Sequence, residues 1–135
     1  MYEPIRTKSV HTMTADSDFP HRTREEELDI QLAGHLAALL AVTDELRLAA
    51  GDPDLDVAAD ALAAQVARLR GGPAPVRAGV AAAIHEPHLA ALHQRAHALA
   101  GRALVVAASR ADTGAAILAA QRMEYHADAG RLVAA

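Results

Sequence analysis

Residues 23 to 56 read TREEELDIQLAGHLAALLAVTDELRLAAGDPDLD, and this run holds a helix start, a long helical body, a stop and a second start. Thr23 followed three residues later by Glu26 fits a capping box, in which hydroxyl and carboxylate satisfy orphan backbone amides reciprocally. Glu25, Glu26 and Glu27 place negative charge at the positive end of the helix dipole, so local electrostatics explains the acidic run without a binding patch. Leu28, Leu32, His35, Leu39, Val42, Leu46 and Ala49 then recur at alternating gaps of four and three, the pattern of an a/d seam. The remaining faces carry Ile30, Leu36, Ala37, Leu40, Ala41 and Leu48, which predicts neighbours on more than one side. Gly51 ends the helix, Asp52 caps the next one, and Pro53 takes its first position.

The same grammar extends outward. Leu55, Ala59, Leu62, Val66 and Leu69 continue the spacing until Arg68, Arg70, Gly71 and Gly72 close a second helix with cations and glycine. Pro73 and Pro75 make the next entry extended, "VRAGVAAAI" is expected to form a short helical turn, and Pro87 interrupts it. A third helix is predicted from about His88 to Ser109, with Leu89, Leu92, Ala96, Leu99, Ala103 and Val106 on its seam. Continuing that seam would bury Arg110, Thr113 and Glu124, so a break is expected at 110–113. Asp112 or Thr113 then caps a fourth helix ending near Leu132. Residues 1–21 have two prolines and no helical period; they read as an extended or mobile arm with Tyr2, Ile5, Val10, Met13 and Phe19 as its apolar side chains.

A chain of 135 residues makes one domain able to bury a core. Alanine supplies about a quarter of it, and strand formers are sparse, so the fold class is all-α. Four segments of matched length with short links point to an antiparallel four-helix bundle over residues 22–135, with the arm before it. Burying a methyl returns only ~0.8 kcal/mol against roughly 1.5–3 kcal/mol for leucine. The monomer core is therefore thin, which predicts a homo-oligomer, with a dimer favoured.

Charge and composition exclude several classes. The net charge is −4, Lys8 is the only lysine, and the aromatics are Tyr2, Phe19 and Tyr125, which is a poor basis for phosphate contacts or base stacking. No nucleic-acid partner is expected. Cysteine is absent, so disulfides and thiolate ligands are excluded. No apolar stretch is long enough for a membrane span and no leader is evident, which makes the cytoplasm the expected compartment. No phosphate-binding glycine loop, HExxH or GxSxG motif occurs. Ser109, Thr113, Asp112 and Tyr125 lack diagnostic spacing and read as helix ends, caps and core, so enzymatic activity is not expected.

The segment "HEPHLAALHQRAHALAGR", residues 85–102, holds His85, His88, His93 and His97. His93 and His97 are four apart and share the shoulder where their helix meets a neighbour. His88 points away from His97, and His85 precedes the proline. Two imidazoles leave a zinc-like divalent ion undercoordinated. Completion would come from His35 on the first helix and from Glu124 or His126 on the fourth, which lie about 160° apart so that one ion recruits only one of them. Glu124 with Asp128 is a further i, i+4 pair suited to a harder ion. Set against a metal site is the commoner fate of helical histidines: hydrogen-bonded within the fold, or exposed. The paired carboxylate–histidine elements of di-iron bundles are absent. Protonating all eight histidines would take the charge from −4 to −4 + 8 = +4, which suggests pH-dependent assembly with His35 as its most consequential position.

The stretches "MYEPIRTKSVHTM", "REEELDIQLAGHLAALLAVTDEL" and "HALAGRALVVAASRADT" resemble a small, functionally uncharacterised family of actinobacterial proteins of the streptomycete kind. The resemblance spans about half the chain and implies a bacterial, cytoplasmic setting; it transfers no activity to any residue. Together these readings predict a non-enzymatic helical interaction or regulatory protein that self-associates through Ala/Leu seams and engages a partner through its arm. The alternative is a metal- or small-ligand-binding bundle built on His93 and His97 with His35 or a helix-four residue.

Overall fold

Each helix boundary is set by a local chemical device, and these devices define four helices in the computed structural model, which describes residues 22–77 and 86–134. They are α1 (Arg24–Ala50), α2 (Pro53–Arg70), α3 (Glu86–Arg110) and α4 (Thr113–Ala134), and the described residues contain no strand. The arm expected over 1–21, the turn expected within 78–85, and His85 lie outside the described residues.

The capping box forms as read. Thr23 Oγ1 accepts from the Glu26 amide at 3.0 Å, and Glu26 Oε1 accepts from the Thr23 amide at 2.8 Å. Gly51 ends α1 at φ 65°, where a side chain would be strained. One residue later Asp52 accepts from the Asp54 amide at 2.9 Å to start α2. The break at 110–113 is present, with Asp112 Oδ1 accepting from the Ala115 amide at 3.2 Å. Pro87 departs from expectation. It lies within the first turn of α3 rather than ahead of a helix beginning at His88, and there its missing N–H removes no helical hydrogen bond.

The α3–α4 joint places Ala111 at φ 60°, the left-handed region that Gly51 and Gly71 take elsewhere. An alanine there costs roughly 1–2 kcal/mol. Ala111→Gly relieves that strain and returns about 0.4–1 kcal/mol to the unfolded chain as entropy. The expected net effect is about 0.5 kcal/mol of added stability, read from urea denaturation midpoints; a destabilised variant would contradict the strain assignment.

The core is divided unequally between the helices. Its fully buried large aliphatic side chains are Leu32, Leu36, Leu39 and Leu46 of α1 with Leu55, Leu62 and Val66 of α2, and α3 adds Leu92 and Leu99. The facing helices contribute mainly methyl groups, among them Ala96, Ala100, Ala103 and Ala107 of α3 and Ala115 and Ala119 of α4. Such small side chains let backbones approach closely, and α3 packs along α4 more extensively than any other pair. α1 packs against both α2 and α3, whereas α2 meets α4 sparsely. Among the described residues the backbones of α1 and α4 do not approach closely, nor do those of α2 and α3.

Polar contacts tie the helix ends together. Arg110 at the end of α3 pairs with Asp29 near the start of α1 at 3.0 Å, and Arg68 of α2 pairs with Asp112 at 2.7 Å. Asp44, 2% exposed, receives two hydrogen bonds from Arg77 at 2.8 and 2.6 Å, which hold the connector after α2 against α1.

The face of α1 differs from the expected seam. Leu32, Leu39, Val42 and Leu46 of that seam are buried, but Leu36 and Thr43 join them in the interior, while His35 is only partly buried and Ala49 is exposed. Thr43 enters this row without an orphaned hydroxyl, because Oγ1 donates to the Leu39 carbonyl at 2.8 Å. Leucines surround α1, so the spacing fits more than one centre line. The positions of α2 and α3 choose among them.

Candidate functional site: a buried histidine pair beside the α3–α4 groove

The extensive α3–α4 contact brings together two histidines that are 33 residues apart in sequence. His93 of α3 is 5% exposed and His126 of α4 is 1% exposed. Their Nδ1 atoms lie 3.0 Å apart, so one ring donates its N–H to the lone pair of the other and both are neutral. Burial, reinforced by the positive charge of Arg122 and by His93 and His97, holds His126 down to about 3 from its usual 6.5. Burial likewise holds His93 below its ordinary value.

A polar chain continues from this pair toward α2. The Tyr125 ring stands edge-on to His126, with centroids 4.9 Å apart, and its hydroxyl donates to the Asp52 carboxylate. That hydroxyl contact, followed by the Asp54 amide, keeps Asp52 below the usual carboxylate range, while burial and then Asp52 itself push Tyr125 up. Arg122, 5% exposed, lies with its guanidinium 4.5 Å from the Tyr125 ring centre and donates to Asp54 at 3.0 Å. Arg122 and Tyr125 thus fasten α4 to the start of α2, at an interface with few backbone approaches. Arg122 Nε and Nη2 and His126 Nε2 are buried without a protein hydrogen-bond partner.

His97, one turn beyond His93, is partly buried and donates through Nδ1 to the Met123 carbonyl at 2.9 Å. A carbonyl only accepts, which assigns a proton to Nδ1. His97 and His126 both line a groove of about 360 Å³ between α3 and α4, together with Gln94, Ala127, Gly130 and Arg131. A second groove of about 280 Å³ lies beside the α3–α4 turn, lined mainly by Ala107, Ala108, Ala111, Ala116, Ile117 and Ala120.

Of the histidines and carboxylates singled out from the sequence, the fold joins His93 to His126 and sets His97 beside them. His35 sits on α1, whose backbone does not closely approach α4 among the described residues. Glu124 is exposed, and Asp128 pairs with Arg131 instead. His88 is exposed and lies 3.8 Å from Glu45. Among the described residues no group of three or more histidines, aspartates or glutamates has a metal-holding arrangement. Ser109 donates to the Val105 carbonyl at 3.0 Å, consistent with a helix-end role. Sequence reading missed Arg122 and the second role of Asp52. The available signal was an arginine one turn before His126 on an otherwise alanine-rich face. No protein-family model, curated protein or solved structure matches the chain.

Proposed function

We propose that this protein is a non-enzymatic helical interaction module, an antiparallel four-helix bundle in which two copies of the chain pair through the α3–α4 face. Support for the arrangement comes from ion pairs that join the end of one helix to the start of another, Arg110 with Asp29 and Arg68 with Asp112, and from Arg122 in mid-α4 with Asp54 at the start of α2. The observation that carries self-association is the groove beside the α3–α4 turn. Alanines make up most of its lining, Ile117 forms its rim at 54% exposure, and Val105 stands on α3 at 66% exposure. A large aliphatic side chain held in water at the rim of a channel of methyl groups, on a helix pair that exposes a second one, is a surface suited to a second helical hairpin. The alternating leucine and alanine core supports the same reading, because α3 and α4 bury few large side chains of their own.

The expected setting is a bacterial cytoplasm, supported by the resemblance of the three quoted stretches. No helix of the described residues is long and apolar enough to cross a membrane. Residues 1–21 supply a second contact, to a protein partner or to the other copy, and their deletion is expected to weaken capture or assembly. The acidic net charge of −4 disfavours nucleic acid as that partner.

Sedimentation across a dilution series tests the pairing. A dimer is expected for the intact chain, and Val105→Glu with Ile117→Glu is expected to weaken it by about tenfold or more, since charge is depleted at the centre of such interfaces. Both positions are exposed, so circular dichroism is expected to be unchanged. A strict monomer at every concentration would reject the reading.

A further inference from the structure

The start of α1 and the α3–α4 turn lie at the same end of the bundle, because Arg110 at the end of α3 pairs with Asp29 of α1 at 3.0 Å. Residues 1–21 precede the described chain, which enters at Arg22 at that end. The methyl-lined groove of about 280 Å³ lies beside the same turn, with Ile117 on its rim. Small-molecule pockets run from roughly 300 to 1,000 Å³, so this one suits one or two apolar side chains. Met13 and Phe19 are such side chains, set in MTADSDF over residues 13–19. We infer that Met13 and Phe19 of one copy seat in the groove beside the α3–α4 turn of a second copy, and that the exchange is reciprocal. The inference rests on the pairing proposed above and names the segment and the seat through which the arm holds that pair together.

Reach, connectivity and charge agree. Extended backbone covers about 3.3 Å per residue, which carries Phe19 roughly 10 Å and Met13 roughly 30 Å from Arg22. That range spans one to three helices, each about 10 Å across. The backbones of α1 and α4 do not approach closely, so α3 stands between the arm's origin and the groove of its own chain. When two α3–α4 faces meet, each groove is turned toward the other copy, and a contact of arm to groove is repeated by the two-fold symmetry of such a pair. The groove adjoins a polar cleft, sharing Ala111, Asp112 and Thr113 with it, in which Arg68 and Arg110 oppose Asp112 and Asp29. Arg110 donates to Asp29 through Nε, and a guanidinium has five N–H donors. Donors therefore remain for Asp16 and Asp18, which lie between the two apolar anchors.

The chain has no cysteine, so introduced cysteines pair only with each other. Full-length chains carrying Ser17→Cys, between the anchors, are mixed with chains carrying Ala120→Cys, an exposed position of the groove lining, and equilibrated in a glutathione redox buffer. A disulfide between copies is expected to predominate. Ser17→Cys mixed with Val57→Cys, exposed near the start of α2 at the other end of the bundle, is expected to give little. Without any cysteine, Met13→Ser with Phe19→Ser is expected to weaken the dimer by about tenfold or more in sedimentation, with circular dichroism unchanged because both residues precede α1. A dimer with neither the cross-link nor any loss in the serine variant overturns the inference and leaves the α3–α4 pairing standing. In a single chain carrying both Ser17→Cys and Ala120→Cys, a disulfide that closes only within the chain would place the arm in its own groove and also overturn it. A strict monomer at every concentration rejects the pairing and the inference together.

Discussion

Replacing Leu39 with alanine is expected to lower the unfolding free energy by about 3–4 kcal/mol and Tm by roughly 10–15 °C. Leu39 is fully buried, and it belongs to the small set of large side chains that α1 and α2 supply to the whole interior. Losing the buried side chain itself accounts for roughly 2 kcal/mol. The rest is the cavity term, which is large wherever neighbours cannot move in to fill the space. The buried apolar residues of α3 are mostly alanines, whose single methyl cannot reach further. The close α3–α4 packing also restrains their backbones from collapsing toward α1. Val105→Ala, on a side chain 66% exposed, is expected to stay within about 0.5 kcal/mol of the unsubstituted protein. Urea denaturation of the two variants makes the comparison, and a loss below about 1 kcal/mol at Leu39 would mean that the interior repacks around the missing atoms.

This unequal core explains what was legible in the sequence. Helix boundaries rest on neighbours within a few residues: Thr23 with Glu26, Gly51 with Asp52 and Pro53, and Asp112 at the last joint, so the local chain spells them out. The buried face of α2 was equally readable, since Leu55, Ala59, Leu62 and Val66 stand against polar residues on its other side. The face of α1 was readable only in part: Leu32, Leu39, Val42 and Leu46 are buried as the spacing predicts, but Leu36 and Thr43 are buried where His35 and Ala49 were expected. With His35 and Leu36 adjacent and leucine at nearly every angle, the choice depends on where two other helices lie. The same holds for the site. His93 and His97 were placed correctly on a shoulder facing a neighbour, and the 160° separation of Glu124 from His126 showed that only one could turn inward. Which one did so depends on the rotation of α4 against α3, a property of packing over 33 residues of separation that no local spacing encodes. Arg122 was hidden for a related reason: a lone arginine reads as solvated until the Tyr125 ring and Asp54 are seen around it.

Stability is expected to fall by about 2 kcal/mol between pH 7 and pH 5, with His126 as the main cause. Its folded value is held down to about 3, against 6.5 for the group in an unfolded chain. Within that window the unfolded state binds a proton that the native state refuses, so stability is fully present above about 6.5. It is lost progressively as pH falls toward 3. From 6.5 to 5 the loss is about 1.5 × 1.36, or roughly 2 kcal/mol, and His93, also depressed by burial, adds a loss of the same sign. The groups facing His126 maintain this direction: Arg122 on its own helix, and His93 and His97 across from it, all disfavour a second positive charge. Asp52, linked through Tyr125, is depressed below 3.8 and so withdraws its stabilisation only at lower pH. Acid sensitivity therefore centres on His126. His93→Leu with His126→Leu removes both ring partners together, which leaves no orphaned nitrogen behind. That double variant is expected to show midpoints at pH 7 and pH 5 that agree within about 0.5 kcal/mol, while the unsubstituted protein shows the full drop. Equal slopes in the two proteins would mean that the proton enters elsewhere, and a flat profile in the unsubstituted protein would mean that the buried pair accepts charge without loss.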